Sequence, residues 1–207
     1  MKKSWGKVLI CLVVLLTVFT SLAMAKTKTT TPKTEEQRQE EIRKMEKKQA
    51  ELRTKTHAVL QKLYVKQPKA KAAIASSYGY AVFVNSGYKL GIIGTGHGRG
   101  IATDRQRDKE YFMRMEEYQA GLGLGATEYA LVFVMANKDA WKSFVMQGWS
   151  YGGQASASAT DSVNGDALEG AFQVAPGIWV YQLTTKGLSL ELALKGNHFY
   201  LDKDMNY

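Results

Sequence analysis

The spacing of hydrophobic residues changes once along this chain, near Tyr78. Between Glu35 and Tyr64 the sequence is rich in charged residues, and its apolar side chains recur at alternating steps of three and four. This spacing puts them on one narrow stripe of an α-helix. The stripe consists of Ile42, Met45, Leu52, Val59 and Leu63, with Gln49 and Thr56 at its two polar positions. We therefore predict a charged helix over residues 35–64, with Pro32 and Thr34 as start signals.

This stripe has three possible partners: a sheet of the same protein, a second helix, or a membrane surface. Helices that lie on membranes usually carry Trp or Phe on their apolar face, and this stripe has neither. We therefore favour docking of most of the helix on the rest of the protein. Pro68 ends the helical pattern, and the alanine-rich segment 69–77 predicts a short second helix.

After Tyr78 the apolar residues alternate with a period of two, which is typical of β-strands. Short apolar runs between turn signals predict roughly eight strands. They are Tyr80–Val84, the run that ends at Thr103, Tyr111–Met115, Tyr129–Val134, Gln154–Thr160, Ile178–Thr184, Leu188–Leu194 and Phe199–Leu201.

Three features between these strands predict turns or a helix. Asn85-Ser86-Gly87 predicts a turn, and the charged segment 104–109 predicts another. Asn137 is a good N-cap for a short helix over 138–146, and Gly148 is its stop signal.

Glycine takes alternate positions in two of the apolar runs, from Gly94 to Gly100 and from Gly121 to Gly125. One explanation is a loop that binds phosphate, but no G-x-G-x-x-G motif is present, because its third glycine would fall on Arg99. The alternative is a strand with one face stripped of side chains, which permits close backbone approach, a bend or a tight barrel corner. We favour the second interpretation.

Short turns, few prolines and many strands favour antiparallel pairing. The fold class we predict is α+β. An N-terminal helical section packs on a curved antiparallel sheet that is able to close into a barrel.

The first 34 residues have the pattern of a leader and a linker. Lysines near the start, an apolar stretch from Val8 to Phe19 and the motif Ala23-Met24-Ala25 predict a signal peptide over 1–25. An uncleaved membrane anchor is the alternative, although the stretch is short for one. Residues 26–34 lack apolar side chains and predict a disordered linker. We expect an exported protein in the periplasm or associated with the envelope.

Charge gives the best candidate for a binding surface. The full chain carries +9, and the leader removes three lysines, which leaves the mature chain at about +6. Because an exported basic protein meets anionic envelope surfaces, we expect anionic phospholipids or other envelope lipids as partners, and no nucleic acid. Two basic clusters are the candidate lipid-binding residues: Lys62, Lys66, Lys69 and Lys71, and Arg99, Arg105 and Arg107 with Lys109.

Signals for catalysis or for a bound metal are weak. Cys11 lies in the leader, and His57, His97 and His198 are far apart without an H-E-x-x-H motif. No serine lies in a G-x-S-x-G elbow. The carboxylates of Asp161, Asp166 and Glu169 stand in a composition typical of turns. We predict no enzyme activity, no metal site and no cofactor.

An ordered set of segments resembles the lipid-binding SYLF domain in its exported bacterial form, over about residues 55–207. The segments are Tyr78-Gly-Tyr-Ala-Val-Phe83, Gly98-Arg-Gly-Ile-Ala102, Tyr111-Phe-Met-Arg-Met115, Gly121-Leu-Gly-Leu-Gly125, Phe144-Val-Met-Gln-Gly-Trp149, Ala175-Pro-Gly177, Val180-Tyr-Gln-Leu-Thr184 and Lys186-Gly-Leu-Ser-Leu190.

This resemblance implies a module without enzyme activity that binds membrane lipids. Eukaryotic members bind phosphoinositides, and some bind actin. Those members carry a Trp-Ser-x-Pro segment where this chain reads Lys109-Glu-Tyr-Phe-Met-Arg114. The family's lipid contact is attributed to a basic amphipathic helix before the first strand, and the matching window by position and charge is Lys55–Lys71.

Two hypotheses about function follow. The first is a peripheral lipid-binding protein of the bacterial cell envelope that contacts anionic head groups through its basic surface residues. The second is a structural or scaffold protein that forms homo-oligomers through the stripe from Ile42 to Leu63.

Overall fold

A computed structural model describes residues 34–151, 168–184, 187–188 and 196–206, with side chains for all of these except 86–94, 119–128 and 187–188. The predicted leader, the linker up to residue 33, the strand at 154–160 and most of the strand at 188–194 lie outside the described residues. The chain divides after Glu40 into two units. The described part of the first unit, 34–40, is the beginning of a helix.

That helix, α1, spans Glu35–Lys66. Its start is a capping box: the Gln37 amide N–H donates to Thr34 Oγ1 at 3.3 Å, and the Thr34 amide N–H donates to Gln37 Oε1 at 3.0 Å. The second helix, α2, spans Lys69–Ser76, with Pro68 at its N-cap. The segment between them is only two residues long, so the two helices form a tight corner.

From residue 41 on, α1 docks on the sheet with the predicted stripe. Leu52 packs with Ile101, Phe112 and Met205, and Leu63 is fully buried in a second cluster with strand residues. The two polar positions of the stripe are accommodated by hydrogen bonds. Thr56 is buried and its Oγ1 donates to the Leu52 carbonyl at 3.0 Å, while Gln49 Nε2 donates to the Met205 carbonyl at 2.9 Å. The expected docking is confirmed.

Seven described strands form one sheet in which all pairings are antiparallel. They are β1 (Gly79–Asp104), β2 (Lys109–Met135), β3 (Trp149–Tyr151), β4 (Phe172–Ala175), β5 (Ile178–Thr184), β6 (Gly187–Leu188) and β7 (Asn197–Leu201). β2 is central: β1 follows one edge along almost its whole length, while β7 pairs with 113–117 and β5 with 129–135 on the other edge. The sheet is nearly closed and barrel-like, which confirms the α+β prediction.

The turn predicted at Asn85–Gly87 is wrong, because β1 continues through it in register with β2. Asn85 is a buried sheet residue, not a turn residue. Its Nδ2 donates to Glu117 Oε2 at 2.6 Å, and the Tyr129 hydroxyl donates to the same oxygen at 2.6 Å. Burial together with this hydrogen bond raises the pKa of Tyr129. The amide that suggested a turn therefore belongs to a buried polar network.

The long hairpin of β1 and β2 bends so that the second half of β1 lies against its first half. The glycines on alternate positions make this contact possible. A Cβ on Gly100 would lie 2.5 Å from the Val82 carbonyl oxygen and 2.5 Å from the Phe83 ring, and one on Gly98 would lie 3.1 Å from the Val84 carbonyl oxygen. The predicted close backbone approach is confirmed for the first glycine run. The side chains around the second run lie outside the described set.

An aromatic cluster fills the inner side of the bent sheet. Phe83, Phe133, Phe144 and Phe199 are fully buried, with ring centroids 4.6–6.2 Å apart. Phe144 comes from the short helix predicted at 138–146, which is an α-helical turn, α3 (Lys138–Trp141), followed by a π-helical turn (Lys142–Met146). Its predicted caps are confirmed, because Asn137 Oδ1 accepts from the Ala140 N–H at 2.9 Å and Gly148 has a φ of +76°.

The close contact at Gly100 predicts that adding a single methyl group there destabilises the protein. Gly100→Ala would force a Cβ against a backbone carbonyl that cannot move without disturbing the β1–β2 ladder. We expect the free energy of unfolding to fall by about 1–3 kcal/mol, the cost of overpacking a core. Urea denaturation measures the change.

Thr95→Ala is the matched control, because Thr95 is exposed on the opposite face of the same strand. Equal unfolding midpoints for Gly100→Ala and the unchanged protein would contradict the close approach.

Candidate functional site

The corner between α1 and α2 presents an apolar side chain among lysines. We use the name helix corner for Lys62, Val65, Lys66, Lys69 and Lys71, all of which are exposed. Val65 is 78% exposed, the highest value among the large hydrophobic side chains that the structure describes. The neighbouring Leu63 and Ala70 are fully buried, so the corner is anchored from beneath.

The four lysines of the helix corner differ in their contacts. Lys62 Nζ donates to the Thr184 carbonyl at 3.1 Å, and Lys69 Nζ lies 2.9 Å from Glu169 Oε2. The side chains of Lys66 and Lys71 make no hydrogen bond or ion pair with any residue that the structure describes. Two positive charges at the corner are therefore available to an outside anion.

Of the second predicted cluster, Arg105 and Arg107 lie in the exposed turn between β1 and β2. Arg105 donates from a terminal guanidinium nitrogen to the Ser77 carbonyl at 3.0 Å, just after the C-terminus of α2. Arg107 lies 3.8 Å from Asp104 Oδ2. Lys69 is the first residue of α2, and Arg105 contacts the residue that follows its last turn. The two cations therefore lie at opposite ends of a helix about 12 Å long, at 1.5 Å per residue.

Arg99 lies elsewhere. The period of two that turns Gly98 and Gly100 inward turns Arg99 outward, into a groove between α1 and the strands β1 and β2. This α1 groove has a volume of about 460 Å³. Its charged or titratable lining residues are Lys48, Glu51, Lys55, His97, Arg99, Arg114, Glu116 and Tyr200. The predicted basic residues are thus divided between the helix corner, the turn and the groove.

Two arginines face each other across the floor of the α1 groove. Arg99 on β1 is directly opposite Arg114 on β2, an arrangement that is unfavourable for like charges. The C-terminal turn neutralises one of them. Arg114 Nε lies 2.8 Å from Asp202 Oδ2, and an outer nitrogen lies 2.7 Å from Asp204 Oδ2.

This pairing also sets the protonation of the buried carboxyl. Burial by itself would raise the pKa of Asp202, but the hydrogen bonds and charge of Arg114 hold the pKa below its usual value. Arg114 is held in place, whereas Arg99 makes no hydrogen bond or ion pair with another described residue.

A serine and a histidine meet on the outer face of neighbouring strands, which the sequence did not indicate. Ser150 Oγ lies 2.7 Å from His198 Nδ1. A catalytic triad needs an acid that orients the imidazole. The cross-strand neighbour Glu116 is engaged differently, because its two oxygens accept from the Tyr200 hydroxyl at 2.6 Å and the Tyr118 hydroxyl at 3.0 Å. These hydrogen bonds lower the pKa of Glu116. The arrangement is a cross-strand polar ladder.

Within the described ranges, no three His, Cys, Asp or Glu side chains are grouped so that they could hold a metal ion. Asp161 and Asp166 lie outside those ranges, and Glu169 pairs with Lys69. Among the described helices, none has the length and apolar character needed to cross a membrane.

Sequence reasoning missed the groove residues of α1 and β2, Lys48, Lys55 and Arg114. The two lysines are seven residues apart, which is a helical repeat that places them on one face, but α1 has many lysines and the spacing alone does not single them out. The role of Arg114 depends on Asp202, 88 residues away, which only the fold brings near.

Comparisons with known proteins place these features in a family. A family model described as "Ysc84: Las17-binding protein actin regulator" matches residues 116–207. A curated relative, "Beta cell expansion factor A" from Aeromonas veronii, is 32% identical over 163 residues, which cover 74% of this chain and 57% of that relative. The chain therefore spans little more than half of the length of this relative.

The Asp202–Arg114 contact predicts a stability loss that depends on pH. Asp202→Asn should lower the free energy of unfolding at pH 7 by about 1–3 kcal/mol, because the buried side chain at this position loses its charged hydrogen bonds with Arg114. Because the folded-state pKa of Asp202 is depressed, its contribution is complete above the unfolded value of about 4 and is lost as the pH falls below it.

Urea unfolding curves at pH 7 and pH 3 would show the gap between the two proteins narrowing at the lower pH. Glu46→Gln, at an exposed position of α1, is the control and should change little. A gap of equal size at both pH values would contradict the assignment.

Proposed function

The chain belongs to the Ysc84 family of SYLF-domain proteins, and on this premise we propose that it is a peripheral lipid-binding protein of the bacterial cell envelope without enzyme activity. It contacts anionic lipid head groups through the exposed cations of the helix corner. The main observation behind this proposal is the exposure of Val65. Its side chain is 78% exposed between lysines, although the neighbouring Leu63 and Ala70 are fully buried.

The chemistry of the helix corner suits the boundary between head groups and acyl chains. An exposed aliphatic side chain gains free energy by leaving water, and the surrounding ammonium groups remain at the level of the phosphates. Each basic residue near an anionic surface contributes about 1 kcal/mol, so Lys66 and Lys71, the two lysines without an internal partner among the described residues, supply on the order of 2 kcal/mol. That supports a weak, reversible complex that salt would screen.

The position of the corner on the docked helix also supports this proposal. The window Lys55–Lys71, matched to the family's lipid-contact helix by position and charge, contains the whole helix corner. In this chain the apolar stripe of the helix packs on the sheet, so contact with a membrane falls to the corner and not to the stripe. Envelope location is part of the proposal because the N-terminal sequence has the pattern of an export signal.

Two other functions receive less support. A scaffold that self-associates through the stripe would have to undock α1, because Leu52, Leu60 and Leu63 are buried against strands of the same chain. Actin regulation, which the family description names, is left out of the proposal, because this chain lacks the Trp-Ser-x-Pro segment of actin-binding members. The corresponding segment, 109–114, opens the central strand β2.

Co-sedimentation with liposomes tests the proposal. Protein comprising residues 26–207 should sediment with vesicles that contain phosphatidylglycerol and much less with pure phosphatidylcholine vesicles. Sedimentation with phosphatidylglycerol should decrease in about 0.5 M salt, because salt screens the attraction between the lysines and the head groups. The double variant Lys66→Glu/Lys71→Glu should lose most of the binding, since neither lysine has a structural partner among the described residues.

The matched control is Lys138→Glu/Lys142→Glu, which changes the net charge by the same amount at exposed positions on α3 and the π-helical turn. Equal loss in both double variants would mean that net charge, and not the helix corner, governs binding. Absence of binding to either kind of vesicle at low salt would refute the proposal.

A further inference from the structure

The α1 groove differs from the helix corner in shape and in lining. It is concave, about 460 Å³ in volume, and closed on one side by α1 and on the other by the outer face of β1 and β2. Apolar atoms of Leu52, Val84 and Met115 line it together with the charged side chains. A groove with an apolar part and a cationic part suits a ligand that combines an anion with carbon-rich groups.

Three cations of the groove have side chains without a hydrogen-bonding or ion-pairing partner among the described residues. Lys48 and Lys55 lie two helical turns apart on one face of α1, and Arg99 approaches from the sheet. None of the three makes a hydrogen bond or ion pair with another residue in the described part of the chain. The cations come from two separate elements, so their convergence is produced by the docking of α1.

The acidic groups nearby offset these cations only in part, and the one that acts on Arg99 is Asp202. Asp202 and Asp204 are engaged by Arg114, and both oxygens of Glu116 accept from tyrosine hydroxyls. Because neutral hydroxyls leave the charge of Glu116 in place, the groove is lined by two carboxylates, Glu116 and Glu51, and the side chain of Glu51 makes no hydrogen bond or ion pair with a described residue. The groove therefore holds more unpaired positive than unpaired negative charge.

A second groove on the α1 helix provides a contrast. It has nearly the same volume, about 450 Å³, and is lined by Arg53, His57 and Glu110 among others. Here the guanidinium is already used, because Arg53 Nε lies 2.7 Å from Glu110 Oε2. This groove of similar volume therefore lacks the unpaired arginine of the α1 groove.

The geometry points to a phosphate-bearing ligand in the α1 groove, at a site separate from the helix corner. The Arg99 guanidinium can bind a phosphate through two N–H groups, and Lys48 and Lys55 add charge from the opposite wall. The apolar lining then contacts the carbon part of the ligand. The phosphate we infer belongs to the head group of a single anionic lipid, and in this respect the inference rests on the proposed function. A free phosphate ion would be recognised by the same chemistry.

Isothermal titration of the mature chain distinguishes these sources. The probes are dihexanoyl-phosphatidylglycerol below its micelle concentration, dihexanoyl-phosphatidylcholine, and inorganic phosphate. We expect one phosphatidylglycerol molecule to bind per chain, with phosphatidylcholine and inorganic phosphate weaker. Inorganic phosphate that binds as tightly as the lipid would assign the groove to free phosphate and overturn the lipid head group as its source.

Three variants test the location. Arg99→Gln should weaken phosphatidylglycerol binding about tenfold, the effect of losing a charged hydrogen bond. Glu51→Gln should strengthen binding, because it removes the unpaired carboxylate of the groove. Lys138→Gln, at an exposed position of α3 outside both proposed sites, should leave binding of the soluble lipid unchanged. Circular dichroism melting of each variant confirms that it is folded.

Failure of this inference is distinguishable from failure of the proposed function. If none of the three probes binds, or if Arg99→Gln and Glu51→Gln both leave the affinity unchanged, the groove site is refuted. Vesicle binding that depends on Lys66 and Lys71 would still stand in that case.

Discussion

The approach of the two halves of β1 is the constraint on which this structure depends. At Gly100 a Cβ would lie 2.5 Å from the Val82 carbonyl oxygen, which leaves no space for a side chain, and at Gly98 it would lie 3.1 Å from the Val84 carbonyl oxygen, a tight contact. The bend brings Phe83 against Phe199 and Phe133, with ring centroids 4.9 and 5.9 Å apart. Residues 26–207 contain no cysteine, so no disulfide supports this aromatic core, which stabilises the fold through burial and ring packing.

The same alternation also builds the surface. In a strand, the residues between inward-facing glycines must face outward. His97 and Arg99 are those residues, and α1 lies alongside them because Leu52 packs on the neighbouring Ile101. Docking of α1 therefore creates the groove and also positions the helix corner. Along the helix, Lys55 of the groove and Lys66 of the corner are about 16 Å apart, at 1.5 Å per residue. One packing event positions both candidate lipid-contact regions.

Periodic patterns made much of this fold predictable. The stripe of α1, the short helix capped by Asn137 and the close approach at the glycines follow from spacing that is local in sequence. The turn at Asn85 was wrong because its amide serves Glu117, 32 residues away, and sequence-local turn chemistry does not reveal such a partner. For the candidate site, the corner lysines were visible as a charge cluster. The groove was not, because Arg99, Arg114 and Lys55 meet only through strand pairing and helix docking.

A fluorophore at the helix corner tests the central claim most directly. The single cysteine of the full chain, Cys11, lies in the predicted leader, so Val65→Cys and Met146→Cys in the mature chain can each carry one environment-sensitive dye without further changes. Both positions are exposed, and Met146 lies on the π-helical turn away from the corner. With phosphatidylglycerol vesicles, we predict a blue shift of emission at position 65 and little change at position 146. A shift at position 146 alone, or no shift at position 65 while the protein sediments with the vesicles, would contradict lipid contact through the corner.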